Sequence, residues 1–401
     1  MTTAQEQALT VGRLLLETAS VEDALPERSR ASMAHGLAGT ALLHARLSAA
    51  DPVFAVAASR HWERAAQLIR RSNDSGAGVF ADRGGLAASL IIGSAMLPDP
   101  APHHAAAQQA ARWLSASASR IAETMSDPSW AAYDVINGLA GIGRVLLTAR
   151  ADGHHEAEPG LLAALRALTS MLSLRDGPRP GWWIPASRHP STVTVHPSGG
   201  ATTGMAHGVA GPLAFVAAAH AAGHTTSGQE AAIRNAAEWL LQWRTPGTWR
   251  WPPTITGDQL EGHESPPVPG RSDAWCYGTP GIARALAIAG LALADPSITE
   301  ASTTALDSLA QRPPGQWDTE GPALCHGTAG VLQSAKTSPA LADASASQLT
   351  QKIGQEEDPF GFTASPGLLT GAAGTALALA DHGQLPAPPG CSSWDALLLL
   401  S

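Results

Sequence analysis

The phrase HGLAG (residues 35–39) returns along the chain as NGLAG (137–141), HGVAG (207–211), YGTPG (277–281), HGTAG (326–330) and TGAAG (370–374). A worn seventh copy lies in FADRGGLA from Phe80, where Asp82 takes the place of the first glycine and Gly85 keeps the second. Copies are roughly 45 to 70 residues apart, room for two helices and their connections. After each phrase comes an alanine- and leucine-rich run, such as TALLHARLSAA after Gly39 or IARALAIAGLALA after Gly281, apolar around most of its circumference and therefore suited to an interior. Between these runs lie amphipathic ones, HWERAAQLIRRS from His61 and EAAIRNAAEWLLQWR from Glu230, whose charged faces suit an outer layer. The chain thus reads as all-α, seven helix pairs with inner and outer members alternating. Periodicity alone leaves two arrangements open, a stacked solenoid or a closed ring. Either way the phrases fall at one end of the repeat, so the residues flanking them, His35, Asp134, His207, Cys276, Tyr277, Cys325 and His326, are expected to line a common face.

The repeats run through all 401 residues, which favours a single domain, 1–401, over several. Apolar residues make up 44% and charged ones 15%, a globular rather than disordered composition. A formal charge of -9 and the lack of any lysine- or arginine-rich run argue against nucleic acid as a partner. The N-terminus has no signal-peptide pattern, and the longest apolar stretch, 281–294, is broken by Arg284 and falls short of the roughly 18 to 20 residues of a spanning helix. A cytoplasmic protein is expected. Two stretches interrupt the helical pattern: 175–200, with DGPRPGWWIPASRHP, and 244–271, with TPGTWRWPPTITGDQLEGHESPPVPG. The first reads as an inserted loop or small substructure, the second as a Pro/Trp-rich loop near the site. Their tryptophans, Trp182, Trp183, Trp249 and Trp251, either hold an extended peptide or pack among themselves.

Only three cysteines occur, Cys276, Cys325 and Cys391, too few for a disulfide framework. Two of them stand just ahead of consecutive phrases, and His326 adjoins the second. Two thiolates and an imidazole make a zinc ligand set, and three protein ligands rather than four leave an open position of the catalytic kind. Taken singly, each is as well explained as a small buried residue; the shared position in adjacent repeats favours Zn2+.

The motifs AWCYGTPG (274–281), LCHGTAG (324–330), TGMAHGVAGP (203–212) and YDVINGLAG (133–141) together resemble the lanthionine synthetase C family, over essentially the whole chain. The resemblance implies an α/α toroid of seven inner and seven outer helices around a central zinc, with a small inserted substructure. It implies a stand-alone lanthipeptide cyclase: a cysteine thiol of a dehydrated precursor peptide adds to dehydroalanine or dehydrobutyrine, closing a lanthionine or methyllanthionine ring. A separate dehydratase and a transporter would be its partners in a biosynthetic complex, through which the protein could associate with a membrane. Carried onto this chain, the family's acid/base histidine falls on His207, its site aspartate on Asp134 and its site tyrosine on Tyr277. The family arginine, four residues before the first zinc cysteine, has no counterpart: Ser272 stands there, with Arg271 one place earlier as the candidate. Two other readings keep the ligands and change the role: a zinc enzyme adding glutathione or another thiol to dehydroamino acids, and a non-catalytic, zinc-stabilised peptide-binding scaffold. A glycoside hydrolase on a helical ring is disfavoured, because no convincing carboxylate pair is present.

Overall fold

Each glycine phrase opens a helix that is buried on nearly every side. The computed structural model of the chain describes residues 2–71, 76–190, 195–263, 272–355, 365–388 and 392–401. Among these, seven inner helices follow the phrases: Leu37–Leu47, Arg83–Ser94, Leu139–Ala151, Ala210–Ala221, Thr279–Ala292, Thr328–Ser334 and Ala372–His382. Every residue of Leu37–Leu47 is buried, as the all-round apolar run requires. The outer helices show one buried stripe instead. In Val53–Ile69 the buried positions are Phe54, Ala57, Ala58, His61, Trp62 and Ala65, the three-and-four spacing of a single helix face.

Contacts between neighbours decide between solenoid and ring. Each inner helix packs on the next, and the last, Ala372–His382, packs on the first, Leu37–Leu47. Six outer helices follow their inner partners in the chain; the seventh pair is completed by the N-terminal helix Thr3–Leu14, which packs on Ala372–His382. The result is a closed α/α toroid. No helix among the described residues is long and apolar enough to cross a membrane.

The second glycine of the phrase explains why it recurs. A β-carbon at Gly39, Gly141, Gly211, Gly281, Gly330 or Gly374 would press on the carbonyl oxygen six residues earlier, that of Met33, Val135, Met205, Trp275, Leu324 and Leu368 respectively. The loop before each inner helix folds back over its first turn at a separation only glycine allows. These loops then join edge to edge. Backbone N–H groups of Val135, Ala206, Cys276, Cys325, Leu369 and Ala34 donate to the carbonyls of Ala206, Cys276, Cys325, Leu369, Ala34 and Phe80, at 2.8–3.2 Å. The mouth of the toroid is therefore rimmed by a nearly continuous hydrogen-bonded hoop.

The opposite end is plugged. The C-terminal turn Trp394–Leu398, with Leu399 and Leu400 after it, is buried inside the ring, where Leu398 O accepts from Trp275 Nε1 (2.9 Å) and Leu400 O from Arg284 Nη2 (2.8 Å). Buried Asp395 accepts from Gln333 Nε2 at 2.9 Å and pairs with Lys336, both at the C-terminal end of the sixth inner helix.

The two interrupting stretches meet in one small substructure. Strand β1 (Arg175–Asp176) pairs with β2 (Arg179–Pro180), and β3 (Gly200–Thr202) pairs antiparallel with β4 (Thr254–Thr256), linking the first stretch to the second. Trp182 and Trp251 are fully buried, Trp182 edge-on to Trp239 at 5.1 Å and Trp251 donating to Leu240 O at 2.7 Å. These two are core residues and do not hold a peptide. Trp183 and Trp249 are half-buried, with the Arg179 and Arg244 guanidinium groups stacked over them at 4.3 and 3.9 Å.

Candidate active site

Cys276 lies on the rim loop before the fifth inner helix and Cys325–His326 on the loop before the sixth. The Cys276 N–H donates to Cys325 O at 3.0 Å, so the hoop itself sets the two cysteines side by side. The two sulfurs and a ring nitrogen of His326 all lie within 4.8 Å of one another. A tetrahedral zinc with Zn–S near 2.3 Å and Zn–N near 2.0 Å needs ligands about 3.5–3.8 Å apart, so the group fits with side-chain adjustments alone. No fourth cysteine, histidine or carboxylate among the described residues completes the group. The ligands also sit just ahead of two helix N-termini, where the dipole favours thiolate over thiol.

A charged knot holds the Cys276 loop. Buried Asp273 accepts from both terminal nitrogens of Arg312 (2.8 and 2.6 Å), from the Asp318 N–H (2.9 Å) and from Arg250 (3.4 Å), while Asp318 accepts from the Ser272 N–H (3.0 Å). Gly278 closes the loop at φ +126, a conformation L-residues avoid. Sequence reasoning missed Asp273, Arg312 and Asp318, since nothing in their spacing joins them.

One loop further round the rim, His207 Nδ1 is 2.6 Å from Asp134 Oδ2. The other oxygen of Asp134 accepts the N–H groups of Asn137 (2.6 Å) and Gly138 (3.0 Å) at the start of the third inner helix. Capping the helix and orienting the histidine are thus done by one carboxylate, with one oxygen for each. Asp134 is fully buried, and burial pushes its carboxyl above the ordinary range despite the hydrogen bonds from His207 and the two amides. With Nδ1 engaged, Nε2 is the ring nitrogen left for other chemistry.

Tyr277 comes next to the first ligand, its ring centroid 6.3 Å from that of His207. Burial, aided by the nearby Cys276, raises its phenol well above 10, so it stays a neutral hydrogen-bond donor. Gly204 makes room for it: a β-carbon there would touch the Tyr277 ring and the Cys276 carbonyl. His35 is on the same rim but two loops beyond Cys325, hydrogen-bonded through Nδ1 to Thr370 Oγ1 at 2.8 Å. Arg271 and Cys391 lie outside the described residues. The structure thus brings together Asp134, His207, Cys276, Tyr277, Cys325 and His326 on four successive loops of one rim.

The family model described as lanthionine synthetase C-like protein matches residues 28–385. Among curated proteins, the nisin biosynthesis protein NisC of Lactococcus lactis subsp. lactis is 27% identical over 214 residues, which take in 50% of this chain and 48% of that protein. About half the length of that relative is therefore matched. The solved structure of nisin cyclase superposes with a TM-score of 0.83 over 98% of this chain and 97% of its own, at 19% identity, a likeness of fold. The glycine-built toroid, the rim with its Cys, Cys, His group and the span of the family match agree: this chain belongs to the lanthionine synthetase C-like family.

Proposed function

We propose that this protein is a zinc-dependent peptide cyclase that adds a cysteine thiol to a dehydroalanine or dehydrobutyrine of the same peptide, forming a lanthionine or methyllanthionine ring. The observation carrying this reading is the meeting, on adjacent rim loops, of a three-donor metal group with a histidine already oriented by a buried carboxylate. When held by Cys276, Cys325 and His326, zinc supplies the charge that lets a substrate thiol ionise near neutral pH, while the two protein thiolates keep that sulfur electron-rich. The rest falls to the chain's own groups. His207 Nε2 takes up the thiol proton and returns one to the α-carbon after the S–Cβ bond forms; Asp134 keeps Nδ1 protonated and steadies the imidazolium. Tyr277 donates to the oxygen that gains charge as the sulfur adds. The whole peptide is conserved in mass, one S–H and one C=C giving one S–C and one C–H.

The rest of the setting follows the resemblance: a separate dehydratase makes the double bonds, a transporter belongs to the same complex, and the reaction runs in the cytoplasm. The test uses a synthetic peptide with one dehydroalanine and one cysteine. Cyclisation removes the free thiol with no change in mass; a thiol that persists beside zinc-loaded protein overturns the reading, and a gain equal to an added small thiol replaces it with intermolecular addition. His207→Ala should keep the helical content and bound zinc but lose roughly 100- to 10,000-fold in rate.

A further inference from the structure

Asp134 fixes His207 at one ring nitrogen. A single hydrogen bond leaves the imidazole free to swing about it, so something else has to set the ring plane. Trp130 occupies that position. Its ring lies against His207 at 4.8 Å with the planes 25° apart, a stacked pair. Trp130 opens a four-residue helix, Trp130–Tyr133, that ends at Asp134, and Tyr133 Oη donates to the His207 carbonyl at 3.1 Å. The same short segment therefore reaches the histidine at its backbone, at Nδ1 and at its face.

Trp130 is itself held by the inserted stretch. His189 packs edge-on against it, centroids 5.1 Å apart and planes at 87°. Both ring nitrogens of His189 are shielded from solvent in this packing. Its neighbour Arg188 ion-pairs with Asp127 at 2.9 Å, so two consecutive residues of the insert grip the loop that carries Trp130.

We propose that Trp130 is the positioning residue that sets the ring plane of His207, and that the inserted substructure holds it there through His189. This rests on the reading of His207 as the proton-transfer group. Proton transfer falls off steeply when the donor or acceptor atom leaves hydrogen-bond reach, so freeing the ring acts on the chemical step rather than on peptide binding. The indole face also lies against the imidazole in its charged form, a favourable cation–π placement.

The experiment measures kcat and KM on the dehydroalanine peptide, with bound zinc and circular dichroism checked for each variant. Trp130→Leu should lower kcat roughly tenfold or more while KM and zinc content hold, and Trp130→Phe should restore most of the loss. In a His207→Ala background, Trp130→Leu should have no further effect, because the group it positions is gone. His189→Ala should lower kcat by a few-fold in the same sense. A loss confined to KM, or a Trp130→Leu penalty as large without His207 as with it, overturns the proposal; full kcat in His189→Ala overturns the part given to the insert. If His207→Ala itself keeps full rate, the acid/base reading falls instead, and the two failures are told apart by that variant alone.

Discussion

The two ends of the toroid solve opposite problems. At the mouth, helix N-termini meet a rim that gathers two thiols, an imidazole and a phenol, and it buries Asp134 where its charge is disfavoured. At the far end, helix C-termini meet cations and a plug: Lys336 and Gln333 on Asp395, Arg46 on Asp381, Arg284 on Leu400 O. There burial pushes the Asp395 carboxyl up, but Lys336 and Gln333 outweigh it and hold it below the usual range. Of these two carboxylates, Asp134 is thus an expense and Asp395 a fastening.

The sharpest break between the ends comes from the ligands. Cys276→Ala should abolish stoichiometric zinc binding and cost at least about 100-fold in activity while leaving the circular dichroism spectrum that of a folded helical protein. Collapse of the helical signal would instead make the metal a structural staple, and the scaffold reading would take over.

A pair of conservative changes tests the two carboxylates. Asp395→Asn should destabilise by about 1–3 kcal/mol at pH 7, a figure reduced by the partial exposure of Lys336. Since its folded pKa is lowered, that contribution is present above the unfolded carboxylate value, near 4, and disappears as pH falls through the folded one. Asp134 has the opposite sign: with its folded pKa raised, ionisation works against folding at neutral pH, and the burden lifts on acidification. Asp134→Asn should therefore leave the melting temperature at pH 7 unchanged or higher while activity falls roughly tenfold or more. A lower melting temperature for Asp134→Asn would show that this carboxylate is a fastening like Asp395.

The last comparison, which ends on the smallest expected effect, concerns the scaffold shared by both ends. Gly374→Ala presses a methyl group on the Leu368 carbonyl and should cost about 1–3 kcal/mol, read from urea unfolding. Gly315→Ala, where nothing lies within 4 Å of the added carbon, should change stability by less than about 0.5 kcal/mol.

What the sequence made legible follows the phrases. Six good copies and one worn one gave the helix pairs, and the position of Cys276, Cys325 and His326 beside two of them put the candidate metal group on a rim. Closure of the ring was not in the period; it depends on Thr3–Leu14 finding the last inner helix, a contact across the whole chain. The same distance hid the supports. Asp273 and Arg312 are 39 residues apart and Trp275 and Leu398 are 123, with no pattern to join them. Trp130 and His189 carry no repeat signal, and the tryptophans of the inserts could not be sorted by composition into buried (Trp182, Trp251) and half-buried (Trp183, Trp249).

The hydrogen-bonded hoop has a consequence for how this architecture can vary. Seven repeats turn by about 51° each, and that angle fixes how far apart equivalent atoms on adjacent loops stand. Cys276 and Cys325 are such atoms, carried on backbone directly bonded across the repeat boundary. The curvature of the toroid is thereby the calliper of its Cys, Cys, His group. Inserts such as 175–200 can grow between repeats without touching that measure, whereas a gain or loss of one helix pair would reset it at every boundary at once.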